Sequence, residues 1–211
     1  MVVPTEGLVA YWAMNERSGA TVRDSSGNGC HGSIVGKGLW ARGLFGNALS
    51  LDGTGHVNVG NPAPLRQLTT AMTFSAWINL VPGRKGYAPV FGKSGFPDDF
   101  TFKIRQNNSL IVTVGKSYRY PKMRVPEGQW VHVAATIGNG IATPYINGVP
   151  DESVVRYKAP ITQEFPLFIG FDRKKETPPR YFQGLLDELR IYNRVLTPEE
   201  IKVLATPPAR N

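Results

Sequence analysis

Tyrosines and basic residues are concentrated in two segments of the chain, where together they could bind a carbohydrate. Residues 84–124 contain nine lysines or arginines against two acids, and residues 156–180 contain six against three. Tyrosine rings stack on the apolar faces of sugars, and arginine donates paired hydrogen bonds to carboxylate or sulfate groups. The alternative is that these cations are ordinary solvated charges, which are common on protein surfaces. The candidate ligand-binding residues are Tyr87, Lys103, Arg105, Tyr118, Arg119, Tyr120, Arg173, Lys174 and Arg180.

A second candidate site is the glycine-rich stretch RDSSGNGCHGSIVG at residues 23–36. Its carboxylate and amide oxygens, together with the backbone carbonyls that glycines expose, are the ligands that calcium prefers. The same residue types also form turns that are closed by their own side chains. The stretch by itself therefore leaves two interpretations open, a plain turn and one half of a metal site. The imidazole of His31 is a poor ligand for a hard cation, so we assign it no metal role.

The acidic residues do not form a convincing pair for glycoside hydrolysis. A glycosidase needs two carboxyl groups about 5 to 9.5 Å apart on either side of the scissile bond. Asp187 and Glu188 are neighbours in a predicted strand, so their side chains point to opposite faces. A polysaccharide lyase would need a base such as His56 or His132 with a positioned partner, and the sequence identifies none. Enzymatic activity is therefore disfavoured, with a lyase or hydrolase kept as an alternative.

The elements that must position these residues are predicted to be β-strands. Runs such as MTFSAWINL, FTFKIRQ and WVHVAATI alternate apolar and polar residues or are rich in β-branched and aromatic side chains. In FTFKIRQ, Lys103 and Arg105 share one face of the predicted strand, opposite its apolar face. The segment QNNSL and the pair Asn139–Gly140 are typical of tight turns between antiparallel strands. Eleven or more strands of this kind follow along the chain.

Many short strands with one convincing helix predict an all-β fold. The segment LTPEEIKVLA predicts a short terminal helix, with Thr197 as the N-cap, Pro198 at the first position and Glu200 closing a capping box. We therefore expect two antiparallel sheets packed face to face as a sandwich or jelly roll. One such domain is predicted over residues 1–205, with residues 206–211 forming a linker or tail.

Composition argues against several classes of protein. The net charge of +8 could attract nucleic acid, but no helix-turn-helix, zinc-finger or RNP-like motif is present, so no nucleic-acid partner is expected. No apolar run approaches the roughly 18 residues of a membrane span, so no membrane insertion is expected. The single cysteine, Cys30, excludes an internal disulfide. No secretory signal is visible in MVVPTEGLVAYW, so either the protein is cytosolic or its signal lies outside this sequence.

Six phrases of the sequence carry a resemblance to a known family. In chain order they are GLVAYWAMNERSGATVRDSSGNGCHGSIVG, GLFGNALSLDGTGHVNVG, MTFSAWINL, GQWVHVAATI, YINGV and GLLDELRIYNRVLTPEEI. Together they resemble the laminin-G-like domains of the concanavalin-A-like jelly-roll class, over nearly the whole chain. The resemblance implies a two-sheet antiparallel jelly-roll sandwich with one short C-terminal helix. This architecture hosts sugar-binding modules, adhesion domains and some polysaccharide-cleaving enzymes.

The resemblance also implies a structural calcium ion near the edge of a sheet. Domains of this family commonly bind it with an acid and an asparagine of the N-terminal loop and with an acid of the last strand. The matching residues here are Asp24, Asn28 and Asp187, with Glu188 as an additional candidate. Cys30 stands where the usual loop has an asparagine, which is a departure from the family's pattern.

These observations predict a non-catalytic carbohydrate-binding module with a structural calcium. The expected partner is a polysaccharide, in particular an anionic one, and other domains of a parent chain are expected beside it. The expected location is extracellular or secreted. An adhesion or protein-interaction domain of the same fold is the alternative.

Overall fold

The computed structural model describes residues 2–93, 100–158, 165–172 and 178–207. The strands are β1 (Leu8–Trp12), β2 (Thr21–Val22), β3 (Gly32–Val35), β4 (Gly38–Arg42), β5 (Asn47–Asp52), β6 (His56–Gly60), β7 (Ala71–Leu80), β8 (Ala88–Lys93), β9 (Phe100–Ile104), β10 (Leu110–Val114), β11 (Ser117–Tyr118), β12 (Trp130–Gly138), β13 (Ile141–Ile146), β14 (Val149–Pro150), β15 (Val155–Arg156), β16 (Leu167–Ile169), β17 (Phe171–Asp172), β18 (Arg180–Tyr181) and β19 (Gln183–Tyr192). The helices are α1 (Ala63–Arg66) and α2 (Pro198–Leu204).

Within these described ranges, the strands form two antiparallel sheets and a separate two-stranded hairpin. The first sheet has the order β14-β13-β12-β7-β19-β5-β4, with β1 also beside β19 and β15 beside β13. The second sheet has the order β11-β10-β9-β8-β16-β6-β3-β2. The hairpin of β17 and β18 lies against β8 of the second sheet. The all-β jelly-roll sandwich predicted from the sequence is confirmed.

Apolar side chains fill the space between the two sheets. Trp12, Phe74, Phe91 and Phe102 are almost completely buried there, and the Phe74 and Phe91 ring centroids lie 5.4 Å apart. An aromatic side chain that buries roughly 150–250 Å² contributes about 4–6 kcal/mol of transfer free energy by its area. Because side chains alternate along a strand, the residues next to these aromatic residues in each strand point to the outer face of the sheet.

The C-terminal helix α2 begins at the predicted capping box. The Thr197 hydroxyl accepts a hydrogen bond from the Glu200 backbone N–H at 3.2 Å, and the Glu200 carboxylate accepts one from the Thr197 N–H at 2.8 Å. Ile201 and Leu204 pack with Tyr192 on the outer face of the first sheet. The one-turn helix α1 was not predicted, because four residues show no helical periodicity. Neither helix of the described residues has the length and hydropathy needed to cross a membrane.

Local backbone geometry supports the predicted turns and adds one irregularity. Asn108, Asn139 and Gly140 adopt positive φ angles of 63°, 50° and 74°, as the tight reversals after β9 and β12 require. Glu188 also has a positive φ, 54°, inside β19, where the pairing with β7 shifts register. This bulge divides β19 into a first half that pairs with β5 and a second half that pairs with β1.

Candidate functional site

Strand β9 places basic side chains on the outer face of the second sheet. Phe102 and Ile104 are buried in the core, so Lys103 between them points to the other side. Lys103 lies opposite Ile111 of β10, and Arg105 follows at the end of β9. Lys103 therefore lies on the face of the second sheet that points away from the core.

Lys103 forms a buried ion pair with the hairpin. Its Nζ lies 2.6 Å from Oδ2 of Asp172, and a guanidinium nitrogen of Arg180 lies 3.3 Å from the same oxygen. Asp172 and Arg180 face each other across the hairpin. The side chains are 5% exposed for Lys103, 0% for Asp172 and 22% for Arg180. Lys103, predicted to bind a ligand directly, thus has almost no surface left for one and instead anchors the hairpin to β9.

Tyr87 lies against the two cations of this ion-pair cluster. The guanidinium carbon of Arg180 is 4.2 Å from the centroid of the Tyr87 ring, and Nζ of Lys103 is 5.7 Å from it. A cation within about 6 Å of a ring centroid is attracted by the negative face of the ring. Tyr87 is half-buried, so these contacts fix its orientation while part of the ring faces solvent.

Tyr118 and Tyr120 form a second group of rings beside Arg105. The two rings meet edge to face with their centroids 5.5 Å apart, and the Arg105 guanidinium carbon lies 4.6 Å from the Tyr120 centroid. The hydrogen bond with the Tyr118 side chain raises the pKa of Tyr120. Tyr118 is 49% exposed and Tyr120 is 58% exposed, so both rings are available to a ligand.

Two shallow clefts border these side chains. The first, of about 310 Å³, is lined by Tyr87, Arg105, Gln106 and Asn107. The second, of about 480 Å³, is lined by Lys116, Ser117, Tyr118, Arg119, Tyr120 and Arg156. The contact of Arg105 with Tyr120 joins the two clefts, because Arg105 lines the first and Tyr120 lines the second.

The structure assigns different places to the remaining predicted cations. Arg119 is exposed and lines the second cleft. Arg173 and Lys174 lie outside the described residues. Arg156 of β15 was not among the candidate residues, although it opens the second basic segment of the sequence. A strand of two residues gives too short a pattern for its side-chain direction to be predicted.

The carboxylate of Asp24 in the glycine-rich loop accepts four hydrogen bonds from the protein. Its Oδ1 accepts from the backbone N–H groups of Tyr11 and Ser26, each at 2.9 Å. Its Oδ2 accepts from the Ser26 hydroxyl at 2.8 Å and from the Cys30 N–H at 2.9 Å. Although burial acts in the opposite direction, these hydrogen bonds lower the pKa of Asp24. The four donors fill the roughly four lone-pair positions of a carboxylate.

Asn28 and Asp187 are held by other contacts. The Asn28 amide donates to two backbone carbonyls of β1, at 3.1 and 3.0 Å, and so ties the loop to that strand. Asp187 of β19 accepts at Oδ2 from the N–H groups of Leu44 and Phe45, each at 2.9 Å. Burial raises the pKa of Asp187 to about 7.

The residues predicted to bind calcium therefore have protein partners in this conformation. Glu188, the additional candidate, accepts a hydrogen bond from the Tyr11 hydroxyl at 2.6 Å and pairs with Arg190 at 2.5 Å. The described part of the chain has no group of three or more His, Cys, Asp or Glu side chains that could hold a metal ion. As arranged, Asp24 does not fit a calcium ligand, because a cation would have to displace its N–H and O–H donors. The calcium ion stays a prediction.

Two of the histidines pack against aromatic rings. His132 is fully buried, its Nε2 lies 2.8 Å from Oγ of Ser75, and its ring meets Trp77 edge to face at 5.5 Å. Burial, reinforced by the charge of Arg190, lowers the pKa of His132 to about 3. His56 stacks on Phe171 of the hairpin at 4.6 Å, and burial lowers its pKa as well. Their environments favour a structural role for both imidazoles.

Residues 51–202 match the Laminin_G_3 family model, which is described as the Concanavalin A-like lectin/glucanases superfamily. The chain belongs to this family. The matched range contains β9, β10, β11, β15 and the hairpin, and all described residues of the candidate site lie within it. The resemblance inferred from the six sequence phrases is confirmed.

The chain is similar to parts of two much longer proteins and to one solved domain of about its own length. Adhesion G-protein coupled receptor V1 of Danio rerio is 24% identical over 157 residues, which are 68% of this chain and 2% of the receptor. Domain 4 of AbnA, a GH43 extracellular arabinanase from Geobacillus stearothermophilus solved with arabinotriose, is 24% identical with a TM-score of 0.73, over 94% of this chain and 98% of that domain. A mutant Trypanosoma rangeli sialidase displaying trans-sialidase activity is 20% identical with a TM-score of 0.75, over 97% of this chain and 33% of the sialidase. These structural likenesses show a shared fold.

Proposed function

We propose that this Laminin_G_3 domain is a non-catalytic carbohydrate-binding module that holds a polysaccharide on the outer face of its second sheet. The observation that carries the proposal is the set of partly exposed rings, Tyr87, Tyr118 and Tyr120, each fixed by contact with a cation or another ring. Rings held in this way offer flat apolar surfaces to sugar rings without losing much conformational freedom on binding. The adjacent guanidinium of Arg105 supplies hydrogen-bond donors for hydroxyl or carboxylate oxygens.

An extended ligand suits this surface better than a compact one. The two clefts are adjacent, since Tyr120 of the second cleft lies on Arg105 of the first. A polymer can contact both clefts along its length, whereas a monosaccharide contacts one. We therefore propose a polysaccharide as the ligand.

The charge of the surface favours an acidic polymer. Asp172 forms ion pairs with Lys103 and Arg180, and the Arg180 side chain keeps 22% of its surface exposed. Arg105 and Arg119 add further positive charge beside the clefts. An anionic chain gains charge-assisted hydrogen bonds here that a neutral chain lacks.

The similar structures support the same proposal. AbnA domain 4 has arabinotriose bound, and its parent arabinanase is described as extracellular. The sialidase is about three times as long as the part of it that this fold covers. We accordingly propose an extracellular location and a parent protein with further domains.

Affinity electrophoresis through gels that contain single neutral or acidic polysaccharides tests the proposal. We expect at least one polymer to retard the protein, and we expect Tyr120→Ala to abolish most of that retardation because the accessible ring is removed. Leu39→Ala is the matched control, since Leu39 is equally exposed but lies on β4 of the other sheet. Migration that no polymer in a broad panel changes, for a protein shown to be folded, would exclude the proposed function.

Protein interaction is a second candidate function, favoured by the similarity to the adhesion receptor of Danio rerio. Such a domain would show no retardation by polysaccharides. If its protein partner binds another surface, Tyr120→Ala would also leave the affinity for that partner unchanged. The gel panel therefore separates the two candidates.

A further inference from the structure

We infer that the second cleft binds a tetrahedral oxyanion ester, a sulfate or phosphate group, carried by the glycan. The inference rests on the proposed function and names the chemical class of its ligand. The cleft lies where the turn between β10 and β11 meets β15. Its volume is about 480 Å³, and its lining residues are Lys116, Ser117, Tyr118, Arg119, Tyr120 and Arg156.

Among the described residues, the lining of the cleft contains three cations and no acid. Lys116, Arg119 and Arg156 are exposed, and none of them forms an ion pair within the described ranges. Two nearby lysines, in contrast, form ion pairs within the protein, Lys103 with Asp172 and Lys122 with Glu152. The charge of the cleft is therefore uncompensated by the protein and available to an anion.

The three cations come from two segments of the chain, the β10–β11 hairpin and β15. Lys116 lies in the turn after β10, Arg119 follows β11, and Arg156 belongs to β15. Strand β15 pairs with β13 of the first sheet, whereas β11 pairs with β10 of the second. The cleft thus lies between the β10–β11 hairpin of the second sheet and β15, which pairs with the first sheet.

This arrangement matches the shape of an oxyanion ester. A sulfate or phosphate ester presents three terminal oxygens in a tetrahedral array, whereas a carboxylate presents two oxygens in one plane. One arginine fork satisfies the two oxygens of a carboxylate, whereas three cationic side chains can each donate a hydrogen bond to a different oxygen of the ester group. The cleft is therefore expected to prefer the ester group over a carboxylate.

The two tyrosines indicate that the ester is attached to a sugar. Tyr118 and Tyr120 line the same cleft as the cations and expose about half of their surface. A free inorganic anion would contact the cations but would make no stacking contact with either tyrosine ring. A glycan can place a ring face on tyrosine while its ester group reaches the cations.

Binding of the full chain to dextrans of equal length and equal degree of substitution tests the inference. The probes are dextran sulfate, dextran phosphate, carboxymethyl dextran and unmodified dextran, measured by biolayer interferometry at about 150 mM salt, where exposed charges are screened over about 8 Å. We expect one or both ester dextrans to bind about tenfold more tightly than carboxymethyl dextran. The two ester arms show whether sulfate or phosphate is the preferred group.

Two substitutions in the cleft and one outside it separate a site from general charge attraction. Arg119→Gln and Arg156→Gln should each weaken binding of the preferred ester dextran about tenfold, as the loss of a charged hydrogen bond implies. Arg42→Gln removes the same charge from β4 of the first sheet, where Arg42 is also exposed, and should change binding by less than about threefold. Circular dichroism confirms that each variant is folded.

The outcomes are distinguishable. Equal binding of ester and carboxymethyl dextrans, or equal effects of Arg42→Gln and Arg119→Gln, overturns the inference. If neutral polysaccharides bind through Tyr120 without a preference for esters, the proposed function stands and the inference fails. If no polysaccharide binds, both fail. Tighter binding of oligothymidylate than of every dextran would assign the cleft to nucleic acid and overturn the inference as well.

Discussion

Acidification should destabilise the domain through the buried imidazole of His132. Its pKa is lowered to about 3 in the folded protein by burial and by Arg190, whereas an unfolded histidine titrates near 6.5. Nδ1 of His132 has no hydrogen-bond partner in the described residues, so the folded protein offers no acceptor for a second proton. Between these pKa values the unfolded state binds a proton that the folded state does not, so stability falls as the pH falls.

The size of the effect follows from the difference in bound protons. One proton corresponds to about 1.4 kcal/mol per pH unit, so His132 should remove about 2 to 3 kcal/mol of the free energy of unfolding between pH 6.5 and pH 4.5. That loss is a large fraction of the roughly 5–15 kcal/mol that stabilises a typical domain.

Urea unfolding between pH 4.5 and 7.5 measures this slope, with tryptophan fluorescence as the signal because Trp77 contacts His132. His132→Gln cannot take up the proton but retains an amide that can bond Ser75. Its free energy of unfolding should vary less steeply with pH, by about 1.4 kcal/mol per unit. Leu39→Ala changes an exposed residue of β4 and should keep the original slope. Equal slopes for the unsubstituted protein and His132→Gln would refute the reasoning.

Two further predictions concern the ligand surface and the predicted metal. Arg105→Ala should weaken binding of an acidic polysaccharide by about 1.5–3 kcal/mol, measured by affinity electrophoresis. The loss should shrink at high salt, where exposed charges are screened, and a loss independent of salt would contradict the electrostatic role. If calcium is bound, excess EDTA should lower the melting temperature, because a ligand of the folded state stabilises it. An unchanged melting temperature, with no metal found by elemental analysis, would contradict the calcium prediction.

Features set by neighbouring residues could be predicted from the sequence. The capping box of Thr197 and Glu200 involves residues three apart, so its hydrogen bonds depend on local geometry alone. The turn at Asn139–Gly140 likewise depends on residues that tolerate positive φ. The outward direction of Lys103 follows from strand alternation.

Contacts between distant segments could not be predicted. Asp172, which lies in the hairpin 69 residues after Lys103, pairs with that lysine and buries it. The sequence pattern of β9 does not indicate this partner. The loop around Asp24 has a sequence suited both to calcium and to a turn. The backbone N–H of Tyr11, 13 residues earlier, helps to fill its carboxylate, and its approach depends on how β1 packs. Arg156 reaches its cleft only through the pairing of β15 with β13.

The bulge at Glu188 has a consequence for the synthesis of the protein. Because β19 pairs with β5 before the bulge and with β1 after it, two early strands depend on one late strand. At about 5–20 residues per second, the ribosome needs about 10–40 s to make the residues between β1 and its partner. During that time β1 and one edge of β5, whose other edge pairs with β4, are open to other chains. A nascent chain that stalls before β19 should therefore depend on chaperones, whereas β12 and β13, which are joined by the turn at Asn139–Gly140, can already pair.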